Sequence, residues 1–249
     1  MEGIVLGSGG WIPTSRRETC CALIREGSRA LVIDAGTGIQ RLVERSELLE
    51  GVESVDIVLT HFHLDHVVGL GYLPALELPE RPTIWGAGQL LGGESTRSLL
   101  GRLLGEPFSS APFAETASAV REIEDDVDIG PFSISTRIQP LHATPTLALR
   151  IGDALTYCTD TAPDPGNIGF AAGTQALLHD AWYAQATSDD GNHSAGGDAG
   201  RIAREAGAKR LVLIHINPLQ ESDEALAESA HREFAGAEVG VDLASIPLA

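Results

Sequence analysis

Three imidazoles and a carboxylate fall within six residues at His61-Phe62-His63-Leu64-Asp65-His66. A core does not absorb such a cluster easily, because each buried polar group needs its own hydrogen-bond partner. The apolar run Val55–Leu59 just before it reads as a strand of branched aliphatics. The cluster therefore sits where a strand hands over to a loop, a place where function commonly gathers. Imidazole nitrogen and carboxylate oxygen are ligands that zinc accepts readily. In extended backbone His61 and His63 share a face and can grip one ion. Asp65 and His66 lie beyond, where the chain turns, and can face a second. Four such residues around one ion would crowd, which favours two.

Matching ligands recur at other strand ends. His142 closes Gln139-Pro140-Leu141-His142, Asp160 closes Leu155-Thr156-Tyr157-Cys158-Thr159-Asp160, and His215 closes Leu211-Val212-Leu213-Ile214-His215. Each alone is a polar residue at the end of a strand; together they supply what the histidine-rich turn lacks.

The rest of the chain reads as mixed α and β. Strands are expected at Gly3–Leu6, Cys20–Arg25, Ala30–Asp34, Thr83–Gly86, Phe132–Pro140, Leu147–Ile151, Ala154–Thr159, Ala176–His179, Arg210–His215 and Glu238–Leu243. Helices are expected at Gly38–Leu49, from Val67 toward Leu78 with breaks at Pro74 and Pro79, and at Leu90–Leu104, Ala195–Ala206 and Ser222–Phe234. Residues 105–131 are less regular, and their acidic run of Glu122, Glu124, Asp125, Asp126 and Asp128 reads as a solvated face or loop. No Gly-, Pro- or Ser-rich linker divides the chain, so a single domain over 1–249 is expected, with two β-rich halves packed together and helices outside.

Composition narrows the partners. The chain carries 17 Lys and Arg against 35 Asp and Glu, a net charge of −18. A generic nucleic-acid-coating role is disfavoured, since phosphate binding leans on basic charge. Three cysteines, Cys20, Cys21 and Cys158, do not make a disulfide framework and read as small strand hydrophobes in a reducing compartment. Without an apolar run long enough to span a bilayer or a signal-like start, a cytoplasmic protein with no membrane association is the expectation. The apolar stretch Leu70–Leu78 leaves two readings, core or the face of a homodimer.

These ligands, in this order, resemble the metallo-β-lactamase superfamily over nearly the whole chain. The family's early strand-closing aspartate matches Asp34 in Leu31-Val32-Ile33-Asp34, where it holds the metal-bearing loop. The resemblance implies an αββα sandwich of two mixed sheets with a dinuclear site on its edge. One ion would take His61, His63 and His142, the other Asp65, His66 and His215, with Asp160 bridging. The ions are expected to be divalent: zinc first, with manganese or iron also compatible with this ligand set. Metal-bound water loses its proton near neutral pH and can supply hydroxide to an ester.

Two further segments are similar to the tRNA 3′-end-processing endonucleases and their phosphodiesterase relatives. One is the opening turn Leu6-Gly7-Ser8-Gly9-Gly10-Trp11-Ile12-Pro13 with Arg16 and Arg17. The other is Leu178-His179-Asp180-Ala181-Trp182 followed by His193-Ser194, with Asp180 standing where that subgroup usually has Glu. By this match His193 protonates the leaving oxygen, Asp180 orients it and Asp65 joins the reacting centre, while His179 is structural.

The chain departs from the subgroup at Thr161-Ala162-Pro163 and Ile216-Asn217-Pro218, where the endonucleases commonly carry phosphate-gripping arginines. No long basic arm is evident either. Residues 80–118 offer only Arg81, Arg97 and Arg102 among Glu80, Glu94, Glu106 and Glu115. The expected substrate is therefore a small phosphodiester, such as a nucleotide or cyclic nucleotide, or a related ester. A tRNA endonuclease, a lactone, thioester, sulfate-ester or β-lactam hydrolase, and a metal-binding protein without turnover are the alternatives. A flavin-linked diiron oxygen reductase fits poorly, as the remaining length leaves no room for a flavin domain.

Overall fold

The computed structural model describes residues 1–109, 116–185, 191–219 and 222–248. Its first sheet holds β1 (Glu2–Gly7), β2 (Cys21–Glu26), β3 (Arg29–Ile33), β4 (Ser54–Val58), β5 (Thr83–Gly86) and β6 (Ala119–Glu122). Its second holds β7 (Val127–Ile129), β8 (Phe132–Gln139), β9 (Thr146–Ile151), β10 (Leu155–Cys158), β11 (Ala176–Asp180), β12 (Arg210–Ile214) and β13 (Ala237–Val239), while β14 (Ser245–Pro247) returns to the first. The strand orders are β14-β1-β2-β3-β4-β5-β6 and β13-β12-β11-β10-β9-β8-β7. Each sheet is mixed. Pairing is antiparallel from β14 to β3 and parallel from β3 to β6, and likewise antiparallel from β7 to β10 and parallel from β10 to β13.

Strand alternation builds the layers. In β3, Leu31 and Ile33 pack toward the second sheet with Phe132, Leu149 and Tyr157, while Ala30 and Val32 face helical segments outside. On that outer face lie Ile39, Leu42, Leu70 and Leu100. Across the second sheet, Leu177, Leu211 and Leu213 meet Ala199, Ile202 and Ala203 of α6 (Gly196–Ala206, numbered after the five short helices below) and Leu226 and Ala230 of α7 (Asp223–His231). Both faces of each sheet are covered, which is why these strands read as near-continuous apolar runs. The expected αββα layering of two mixed sheets is what the chain forms.

Several boundaries differ from the sequence reading. The expected helix Gly38–Leu49 is three short pieces: 3-10 turns at Thr37–Gln40 and Ser46–Leu49 flank α1 (Arg41–Glu44), because Arg45 leaves helical space at φ −129°, ψ 63°. The expected helix from Val67 begins earlier, as α2 (Leu64–Val67), and continues as a 3-10 segment, Val68–Ala75, that contains Pro74. Leu90–Leu104 is two helices, α3 (Gly88–Gly92) and α4 (Thr96–Leu103), divided by Gly93 at φ +72°. A fifth short helix, α5 (Gly166–Phe170), was not anticipated. The region read as irregular contains β6 and β7, and the strand expected at Glu238–Leu243 is β13 with β14 beyond it. Glu122 is not a solvated charge: its carboxylate accepts from the amide and hydroxyl of Thr96, anchoring α4. Glu115, counted among the acids of residues 80–118, lies outside the described residues.

In Leu70–Leu78, Leu70 and Leu73 are buried in the core of the first layer while Tyr72 is exposed. Among the described residues no helix is long and apolar enough to cross a membrane.

Candidate metal centre

Asp34 follows β3, Thr60 and His61 follow β4, Asp160 follows β10, Asp180 ends β11 and His215 follows β12. These are the carboxyl ends of strands that pair in parallel, so the topology delivers all of them to one edge of the sandwich. The backbone there is strained. Five non-glycine residues among those described have positive φ, and four of them surround this edge: Trp11 (64°), Asp34 (58°), Asp160 (49°) and His215 (54°). Such left-handed conformations cost free energy and gather at functional sites.

Asp160 is the hub. Its Oδ1 lies 3.8 Å from His61 Nε2, 3.5 Å from His142 Nε2 and 3.3 Å from His215 Nε2, and its Oδ2 lies 3.0 Å from His66 Nε2. His142 Nε2 is also 3.3 Å from His63 Nδ1, and Asp65 Oδ2 is 3.3 Å from His215 Nε2 and 3.6 Å from His66 Nε2. Most of these gaps are long for hydrogen bonds. They match the edge of a tetrahedron: two ligand atoms, each about 2.1 Å from one ion, stand about 3.4 Å apart.

The buried Nε2 atoms of His61 and His66 have no hydrogen-bond partner. An orphaned buried nitrogen is costly unless something else satisfies it. The donor set, its spacing and these orphaned atoms fit divalent ions. Ligand atoms of His61, His63, His142 and Asp160 converge within 4.8 Å of one another, and a second convergence holds Cys20, His66 and His215.

The opposite ring nitrogens fix the tautomers. Thr60 donates its amide and hydroxyl to Asp34 (2.8 and 2.9 Å) and accepts from His61 Nδ1 at 3.1 Å. His66 Nδ1 donates to Asp34 Oδ2 at 2.9 Å, and His142 Nδ1 to the Asn192 carbonyl at 2.9 Å. In the neutral imidazole each bond leaves Nε2 with its lone pair facing the cluster, the arrangement a metal-ligating imidazole needs. His63 is turned the other way: Nδ1 faces the cluster and Nε2 meets the Thr144 hydroxyl at 3.2 Å.

Electrostatics reflect the crowding. Burial holds the His61 imidazole well below its usual range, and the neighbouring His66 lowers it further. Burial acts the same way on His66 and His215, but carboxylates outweigh it, Asp160 foremost, and both are pushed well above the usual range. Burial would raise the Asp160 carboxyl; His215, His66 and His61 hold it well below normal instead.

His193 and Asp180 stand beside this cluster. His193 Nδ1 lies 2.8 Å from Asp180 Oδ2, and Ser194 donates its amide to Asp180 Oδ1 at 3.0 Å. His193 also has a ring nitrogen within 4.8 Å of ligand atoms of both Asp160 and His215. His179 is fully buried and its Nδ1 meets the Asp180 carbonyl at 2.9 Å.

Sequence reasoning missed three contributors. Trp182 stacks on His193 at 4.6 Å between ring centroids and 15° between planes, and on His215 at 5.1 Å. Trp11 donates its amide to Asp65 Oδ2 at 2.6 Å. Cys20, read as a strand hydrophobe, has its thiol under His66 and His215, and burial pushes that thiol up to about 11, so it is protonated at neutral pH. Nothing in an adjacent Cys20-Cys21 pair signals which face meets the site.

The cleft over the cluster is about 280 Å³ and is lined by Trp11, Trp182, Asn192, His193 and the candidate ligands His63, Asp65, His142, Asp160 and His215, with no Lys or Arg among the described lining residues. Arg16 and Arg17 of the glycine-rich turn pair instead with Asp223 of α7, at 3.6 and 2.9 Å.

Comparison with known proteins gives the family and the fold. The chain is similar to the probable metallo-hydrolase YhfI of Bacillus subtilis, 27% identical over 223 residues and covering 87% of each chain. It is also similar to a ribonuclease Z of Halobacterium salinarum, 29% identical over 276 residues, 90% of this chain and 89% of that one. Among solved structures, a diphosphatase of the PhnP family superposes with a TM-score of 0.76 at 19% identity, over 100% of this chain and 98% of the other. The family profile described as the β-lactamase superfamily domain matches residues 29–216. By that match the chain belongs to the β-lactamase superfamily.

Proposed function

We propose that the chain is a dinuclear metal-dependent hydrolase of small phosphodiesters, with His193 as general acid. His61, His63 and His142 would hold one ion and Asp65, His66 and His215 the other, with Asp160 between them; zinc suits this mixture of imidazole and carboxylate. When bound, such ions polarise an ester oxygen and bring a water near the ionisation needed for attack at neutral pH.

The observation that carries the reading is the buried Asp180 holding His193 beside Asp160 and His215. With Nδ1 committed to Asp180, Nε2 is the nitrogen that meets a substrate oxygen. It delivers a proton to the leaving alkoxide as the bond to phosphorus breaks, while Asp180 holds the ring in place. Trp182, stacked on both His193 and His215, fixes the ring planes. A positioned acid matters most for a poor, oxygen-based leaving group. It favours oxygen esters over thioesters, whose thiolate departs without a proton, and argues against β-lactams only mildly.

A tRNA 3′-end endonuclease is the second reading, favoured by the ribonuclease Z relatives. Against it stands a cleft without Lys or Arg among its described lining residues on a chain of net charge −18. The deciding test loads the protein with zinc or manganese and offers an aryl phosphodiester and a tRNA precursor. Hydrolysis of the diester, lost in His63→Ala, is expected. Salt-sensitive cleavage of the precursor alone would favour the endonuclease, and identical behaviour of His63→Ala would end the metal-hydrolase reading.

A further inference from the structure

A second cavity of about 270 Å³ opens directly beside the candidate ligands. His61 and His63 form one end, and Phe62, Leu91, Leu99 and Pro145 form the walls. Its one wall hydroxyl, on Thr144, is engaged with His63 Nε2 at 3.2 Å, and none of the described lining residues is Lys, Arg, Asp or Glu. Leu91 packs against the inter-sheet core and Phe62 against the outer core of the first sheet, so the walls are built into the fold.

A slot of this kind has little to offer a phosphate or sugar, which would lose water without gaining hydrogen bonds. It suits an apolar group, whose burial is favourable in proportion to area. Size sets the limit: an apolar cavity of about 150 Å³ takes up benzene. The slot therefore accommodates an aryl ring or a short alkyl chain and is too small for a stretch of polynucleotide.

Position says which side of the ester it serves. The leaving oxygen must reach His193, which lines the neighbouring cleft with Trp182. Among the described lining residues the slot shares only His63 with that cleft and includes neither His193 nor Trp182. We infer that it binds an apolar group of aryl-ring size on the retained side of the substrate, the part that stays on the phosphoryl group when the leaving oxygen departs. This rests on the hydrolase reading above and narrows its substrate class to esters carrying such a group.

Binding of phenylphosphonate and methylphosphonate to the zinc-loaded protein, measured by calorimetry, tests it without turnover. Both present the same phosphoryl oxygens to the ions, and only one has a ring for the slot. Phenylphosphonate should bind at least about tenfold tighter, in line with the selectivity apolar pockets achieve. Gly92 lines the slot and a Cβ added there meets nothing within 4 Å, so Gly92→Phe fills the slot and should bring the two ligands to similar affinity. Leu99→Asn, which makes a wall polar, should shrink the preference by a separate route. Equal binding of the two phosphonates by the unmodified protein overturns the slot and leaves the hydrolase reading standing. A preference that survives both substitutions also overturns the slot. Binding of neither ligand with metal present overturns both.

Discussion

Nδ1 of His193 lies 2.8 Å from Oδ2 of Asp180, and the same carboxylate oxygen lies 3.5 Å from Nδ1 of His215. One buried acid thus bonds the candidate proton donor and faces a candidate metal ligand across a longer gap. Burial alone would raise its pKa. The charge and hydrogen bond of His193, with His215 behind them, hold it below the usual carboxylate range. It is therefore ionised at neutral pH and available to support an imidazolium.

His193→Ala should reduce kcat about 10²- to 10⁴-fold on a diester with an alkyl leaving group, the usual contribution of a positioned acid. With p-nitrophenol as leaving group the loss should be far smaller, because that oxygen departs without a proton. Asp180→Asn should show the same pattern more mildly. Rates across a series of leaving groups give the check, and an equal loss for good and poor leaving groups would remove His193 from the role of acid.

Asp34 is wholly buried, accepts from Thr60 and His66, and is approached by no other candidate ligand ring. Partners of this kind set ligand orientation and basicity, and their loss typically weakens metal binding 10- to 100-fold. Asp34→Ala should show a weakening of about that size, measured by competition with a chromophoric chelator. Unchanged affinity would mean that His66 keeps its geometry without the carboxylate.

The convergence of candidate ligands was legible because metal chemistry restricts residue types and because His61, His63, Asp65 and His66 are close in sequence. His142, Asp160 and His215 were legible as polar ends on apolar strands. The layering followed from the same apolar runs. What sequence hid depends on approach in three dimensions. Trp182 gains its role by stacking on rings 11 and 33 positions away, and Cys20 by lying under His66 and His215. Leu90–Leu104 was read as one helix because leucine pairs flank it at both ends, but the intervening Gly92-Gly93-Glu94-Ser95 carries no apolar residue, and Gly93 at left-handed φ divides it. β6 went unseen because Arg121 and Glu122 interrupt its apolar pattern, and Glu122 is recruited by Thr96 from α4.

Gly10 packs against the site. A Cβ built there would stand 2.5 Å from His215 Nε2 and 2.6 Å from Cε1, closer than real contacts allow. His215 sits on a positive-φ strand end between Asp65 and Asp180, with little freedom to retreat. Gly10→Ala should displace the ring and lower metal stoichiometry below that of the unmodified protein, while the circular dichroism of the fold stays unchanged. Full occupancy by elemental analysis would show that the ring moves aside at little cost.

Metal and protons compete for the same nitrogens. In the metal-free protein His66 and His215 are raised well above the usual range, burial opposing and Asp160 leading the carboxylates that prevail. They contribute stability fully present below the unfolded value of about 6.5 and lost as pH rises through their folded values. His61 and His63 are lowered, chiefly by burial, so they cost stability as pH falls below about 6.5. The two trends place the histidine contribution to metal-free stability at its maximum near that pH, with a decline on either side. Ligation needs unprotonated imidazoles, so metal loading should release protons from His66 and His215, and affinity should rise with pH. Calorimetric titration in two buffers of different ionisation enthalpy measures that release. Thermal melts of chelated and loaded protein across pH 6 to 9 should diverge, the metal's stabilisation growing as the medium becomes more alkaline. A constant gap between the two melting curves, or no proton release at pH 7, would mean that these imidazoles are already neutral before the metal arrives.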